Sequence, residues 1–239
     1  MSTARTMSVM NTMSTTRIFF EQVWAILAKD VRYELRSKQT WMGMGMFALL
    51  VLVIFNFAFD LHVDNKAAVA PGALWVAFIF ASLLGLGRTI AAEREQESMD
   101  RLLLCPVDRK AIYLAKLLGN LLFIGVVEIV ALPIFAALFD VPLFVGQLIP
   151  IVLLGTLGVA TIGTLFSAMA AATRARELLL PLLVFPLIVP IVIAAVRATG
   201  SLLAPGGANE PPWLGLIIAF DIIFLSLSML LFQYVIEDQ

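Results

Sequence analysis

Apolar residues fall in six blocks of roughly twenty along this chain, and the short pieces between them hold nearly all the charge. About twenty residues at 1.5 Å each cover a ~30 Å hydrocarbon layer. The pattern therefore predicts an all-α, polytopic membrane protein with spans at 41–59, 73–90, 112–139, 147–172, 178–196 and 213–234.

Ahead of the first span the period changes. At 100° per residue, Phe20, Trp24, Leu27, Val31 and Leu35 share one face of a helix over 17–36, with Lys29, Arg32 and Arg36 opposite and Glu34 an exception on the apolar side. That reads as an interfacial amphipathic helix over 17–40, its basic face toward anionic headgroups. Packing on another protein chain is the other reading. Residues 1–16, rich in Ser, Thr and Met, are expected to be a flexible lead-in. They carry no apolar core or A-x-A site of a signal peptide, and their several methionines leave the start codon open. The transmembrane domain is then 41–239, with a cytoplasmic loop at 91–111.

Within the spans, residue types differ. In the fourth, Thr156, Ala160, Gly163, Thr164, Ser167 and Ala168 cluster on one side, as in a close helix–helix seam. In the fifth, Pro181, Pro186 and Pro190 each remove a backbone donor, so kinks are expected. Trp41, Trp75 and Trp213 stand at span ends, where aromatic side chains anchor in the interface.

Composition agrees with the pattern: 61% hydrophobic and 14% charged, against about half and a quarter in soluble domains. A net charge of −1 gives no basic field for nucleic acid. Lys and Arg sort by side. Fourteen lie in the N-terminal segment (Arg5, Arg17, Lys29, Arg32, Arg36, Lys38), around the second loop (Arg88, Arg94, Arg101, Arg109, Lys110, Lys116) and in the fourth loop (Arg174, Arg176). Only Lys66 and Arg197 lie opposite. The positive-inside rule then puts both termini in the cytoplasm. Cys105 stands alone, so no intrachain disulfide is available.

The loop AAEREQESMDRLLLCPVDRKAIYLAK, residues 91–116, carries the most specific pattern. Charged residues including Glu93 and Glu95 extend a helix out of the membrane. Ser98 is a good N-cap for a short helix, and Pro106 stops it. Met99, Leu102 and Leu103 project on one side, with Asp100 and Arg101 elsewhere. Such a knob suits docking into a groove on a soluble partner. An ordinary positive-inside loop whose leucines fold back on the membrane is the alternative.

The acidic residues, Ser-Met-Asp-x-Leu-Leu-Leu-x-Pro-Val, the basic pair and Leu-Ala-Lys resemble the first cytoplasmic loop of ABC-2-type exporter permeases. From about Phe19 onward the chain resembles the CcmB family, the haem-exporter permease subunits of cytochrome c maturation. Leu74-Trp75-Val76-Ala77, the run from Pro181 to Pro190, and the acidic close after Tyr234 carry that likeness. Glu97 departs from it, standing where the family has Gly.

The resemblance implies an inner-membrane permease that is not itself an enzyme. It implies an ABC ATPase subunit like CcmA, a haem-handling membrane subunit like CcmC, a small membrane subunit, and paired permease chains. ATP would sit on the partner and haem would be a handled ligand, either exported or released with its chaperone. The ATPase-coupling residues would be Glu93, Glu95, Ser98, Met99, Asp100, Arg101, Leu102, Leu103 and Pro106. An ABC-2 permease for a lipid, glycan or drug is the alternative. No G-x-x-x-x-G-K-[ST] phosphate loop occurs in the chain, which independently points to a separate source of energy.

Charge inside a span is costly and often functional. Glu128 in the third span and Asp221 in the sixth are the clear cases, with Asn120 near the first and Ser228 on the same face as the second. They either face a path or stitch helices together. His62, the only histidine, reads as a solvated loop residue, and Cys105 has no clustered ligands for a metal. No span holds a Ser–His pair or two partnered Asp residues, which excludes a rhomboid-like serine protease and an intramembrane aspartyl protease.

Overall fold

The computed structural model describes residues 2–37, 39–60, 66–95, 107–141, 146, 148–171, 176–203 and 212–237. They form seven helices: α1 Ser2–Ser37, α2 Gln39–Asp60, α3 Lys66–Glu95, α4 Arg109–Phe139, α5 Leu148–Ala171, α6 Arg176–Leu203 and α7 Pro212–Glu237. No strand occurs among the described residues. Helices α2 to α7 are long and apolar enough to cross a membrane, and they coincide with the six expected spans. Helix α1 takes in 2–16 as well as the amphipathic segment.

α5 is the centre of the bundle, packed by α3, α4, α6 and α7. Its small residues permit this. Gly155 lies under the Trp75 ring of α3, Gly163 under Leu86 of α3, and Gly158 against Ile191 of α6 and Asp221 of α7. α2 and α7 leave most of their surface outward, as helices facing lipid do.

One expectation needs correction. Trp75 is not an interfacial anchor. α3 begins nine residues earlier, and the ring is 1% exposed with its Nε1 donating to Thr199 Oγ1 at 3.0 Å. The three prolines lie inside α6, which runs uninterrupted through them. Its buried face, Leu180, Val184, Ile188, Ile191, Ala195 and Ala198, keeps one register past Pro186 and Pro190. Those two rings stand on the exposed side, away from the packing contacts.

Candidate functional site

Ser98, Met99, Asp100, Arg101, Leu102, Leu103 and Pro106 lie outside the described residues, as do Cys105 and His62. Glu93 and Glu95 fall in the last turn of α3. At the far end of the same loop, residues 107 and 108 lead into α4. Asp108 caps α4 in extended geometry (φ −64°, ψ 127°), its carboxylate accepting the Lys110 N–H at 2.9 Å. A carboxylate there satisfies an orphan amide and favours the positive end of the helix dipole.

That cap is tied to two other helices. The Asp108 N–H donates to Gln22 Oε1 of α1 at 3.4 Å, and Arg109 Nη1 donates to the Gln233 carbonyl of α7 at 3.4 Å. Two turns further on, Lys116 Nζ meets Asp30 Oδ2 of α1 at 2.6 Å. The two side chains are only 7% and 11% exposed. Lys29 adds its Nζ to the other Asp30 oxygen at 3.1 Å. Removing one partner of a buried ion pair leaves an uncompensated charge, at a cost of about 3–5 kcal/mol. Tyr113, between these contacts, donates to the Thr161 carbonyl of α5 at 3.2 Å and packs on Phe232 of α7.

The apolar face assigned to α1 from sequence divides in two. Phe20, Trp24 and Leu35 are exposed (61%, 71% and 57%), whereas the packed face is Val23, Ile26, Asp30 and Glu34. The two arcs lie roughly 110° apart at 100° per residue. Glu34 is therefore no exception: it sits on the packing side, 5% exposed, and its Oε1 accepts the Thr40 N–H at the start of α2.

The intramembrane polar residues fall into two groups, on different sides of α5. On the α4 side, Asn120 Nδ2 donates to Thr164 Oγ1 at 2.9 Å, and Thr156 Oγ1 donates to Glu128 Oε1 at 2.5 Å. Both steps are eight residues, in opposite directions, so the antiparallel helices carry two polar rungs about 12 Å apart. Asn120 and Glu128 are 6% and 4% exposed, and each is matched by a hydroxyl of the small-residue seam. On the α7 side, Asp221 is 4% exposed, and neither carboxyl oxygen has a hydrogen-bond partner among the described residues. It faces Gly158, where an added Cβ would come within 2.7 Å of its Oδ1. Ser228, seven residues on, is also buried.

Sequence reasoning picked out Asn120, Glu128, Asp221 and Ser228 but missed Asp30, Lys116, Gln22 and Gln233. A signal existed for Asp30: it shares a helix face with Val23 and Glu34, which a charge meant for solvent does not do.

A family model described as "CcmB protein" matches residues 21–237. A Rhodobacter capsulatus protein named "Heme exporter protein B" is 32% identical over 171 residues, 71% of this chain and 78% of its own length. A Paracoccus denitrificans protein of the same name is 29% identical over 212 residues, 86% and 93% of the two chains. One from Pseudomonas aeruginosa is 29% identical over 172 residues, 70% and 76%.

Proposed function

Since the chain belongs to the CcmB family, we propose that it is the membrane permease subunit of a haem exporter serving cytochrome c maturation. It works with a separate ATP-hydrolysing subunit. The observation that carries this reading is the anchoring of the loop's exit: Asp108 and Arg109 are bonded to α1 and α7 as α4 begins. A loop held this way transmits force from a docked partner, where a slack loop would absorb it.

In this reading Met99, Leu102 and Leu103 fill a groove on the ATPase, and Glu93, Glu95, Asp100 and Arg101 set its orientation. The chain lies in the bacterial inner membrane with both termini cytoplasmic, because fourteen of its sixteen Lys and Arg fall on one side. The exposed strip of Phe20, Trp24 and Leu35 meets lipid, with Arg32 and Arg36 beside it. Haem is cargo, either carried across or released with a chaperone by a haem-handling membrane subunit. Two permease chains and a small membrane subunit complete the assembly. Glu128 and Asn120 hold α4 to α5 as the bundle moves.

Affinity purification of the tagged chain from detergent-solubilised membranes tests this. A small ATPase is expected to come with it, and to be lost when Leu102 and Leu103 become Asp. Recovery of the chain without any nucleotide-binding partner would refute the proposal.

A further inference from the structure

Among the described residues, helix α1 is attached to the bundle at α2 and at α4. Its end leads into α2, where Glu34 accepts the Thr40 N–H at 3.2 Å. Otherwise it lies along α4 and scarcely touches α2. The α4 attachment is a matched pair of contacts. Gln22 and Asp30 are eight residues apart on α1, and Asp108 and Lys116 are eight apart on α4. The helices therefore run side by side in the same direction, in one register, over about 12 Å. A single contact would let α1 pivot on α4; two fix its direction as well as its position.

The inner contact is the stronger. Lys116 and Asp30 are nearly sealed from solvent, and Val23, Ile26, Ala111, Ile112 and Ala115 form the surrounding apolar cluster. Pulling the two charges apart would remove the closest opposite charge of each in a largely apolar setting, so the joint resists opening. Lys116 lies only two turns beyond the residue where the loop ends. A displacement of the loop's exit must carry α1 with it, and Glu34 then passes the movement to the first turn of α2.

We propose that Asp30 and Lys116 are positioning residues for the coupling step, joining α1 to α4 so that movement of the loop's exit reaches the first span. This rests on the reading that the loop docks an ATPase.

The test uses the full set of partner subunits in native membranes, with Asp30→Asn, Lys116→Gln, and the reversed pair D30K/K116D. Three quantities are read: ATPase subunit recovered with the chain, ATP hydrolysis by the purified complex, and holocytochrome c formed per ATP hydrolysed. The single variants should keep the ATPase bound. They should lower holocytochrome c per ATP by about tenfold, within the usual range of a coupling free energy. The reversed pair should recover much of that loss, as a double-mutant cycle requires of a true partner. A merely structural role would lower the amount of complex and leave the ratio unchanged. The proposal is overturned if either single variant, normally assembled, keeps the wild-type ratio, or if the reversed pair assembles without recovery. Should the single variants fail to accumulate, the D30N/K116Q pair, neutral at both positions, decides: a wild-type ratio there also overturns it, and a lowered one supports it. Absence of an ATPase from the unmodified complex would instead refute the docking reading, and this inference with it.

Discussion

Replacing Gly155 by Ala adds one methyl group at a crowded point of the bundle. The new carbon would meet Cη2, Cζ3 and Cζ2 of Trp75, the last two at 2.8 and 3.1 Å. These are ring atoms of a side chain that is 1% exposed and held by its bond to Thr199, so no flexible tip can swing aside. Overpacking of this kind costs about 1–3 kcal/mol. If the indole turns, it also loses a hydrogen bond of about 0.5–1.5 kcal/mol. Alanine returns up to about 1 kcal/mol of helix propensity. With the bond lost, the balance is a net loss of about 0.5–3.5 kcal/mol. At about 2–4 °C per kcal/mol for a chain of this size, the melting midpoint should fall by about 1–14 °C. The assay is heating in detergent followed by size-exclusion of a fluorescent fusion. Gly125→Ala and Gly45→Ala are the controls, because a Cβ at either has nothing within 4 Å. They should melt with the wild type or slightly above it. A Gly155→Ala midpoint equal to that of Gly125→Ala would refute the packing described around α5.

Glu128→Gln keeps an acceptor for Thr156 and should retain both assembly and activity, whereas Glu128→Leu strands that hydroxyl and should lose about 1–3 kcal/mol in the same melting assay. If Glu128→Gln abolishes activity in a normally assembled complex, the carboxylate's charge matters and the stitching role is wrong. Asp221→Leu removes a buried carboxyl that has no partner among the described residues, so the midpoint should rise, by about 1–3 kcal/mol in stability. A lowered midpoint would mean that Asp221 is partnered within the assembled protein. Thr164→Val breaks the Asn120 rung and should cost about 0.6 kcal/mol, the average for a hydrogen bond between membrane helices. A cost above about 2 kcal/mol would indicate a role beyond that single bond.

The helices were legible in the sequence because length and apolarity are what make a span. The seam on α5 was legible too, since Thr156, Gly163, Thr164 and Ser167 recur on one face. What periodicity could not supply is which helix meets which. Asn120 and Glu128 stood out as polar residues in an apolar run, yet their pairing with Thr164 and Thr156 follows only once α4 and α5 lie antiparallel in one register. The Asp30–Lys116 contact joins residues 86 apart, and Lys116 counted as one more positive-inside charge. On α1 the error was to draw one apolar face through the largest side chains. Trp24 and Phe20 face outward, while the smaller Val23 and Ile26 do the packing. Trp75 was misplaced because its distance from the helix start, and not its residue type, decides whether it reaches the interface.

Covalent haem attachment to c-type cytochromes in cells deleted for this chain tests the central claim most directly, by haem staining of separated membrane proteins. Loss of the stained bands, restored by the wild-type chain and not by the Leu102→Asp/Leu103→Asp variant, is the predicted result. Unchanged c-type cytochromes in the deletion strain would contradict the account.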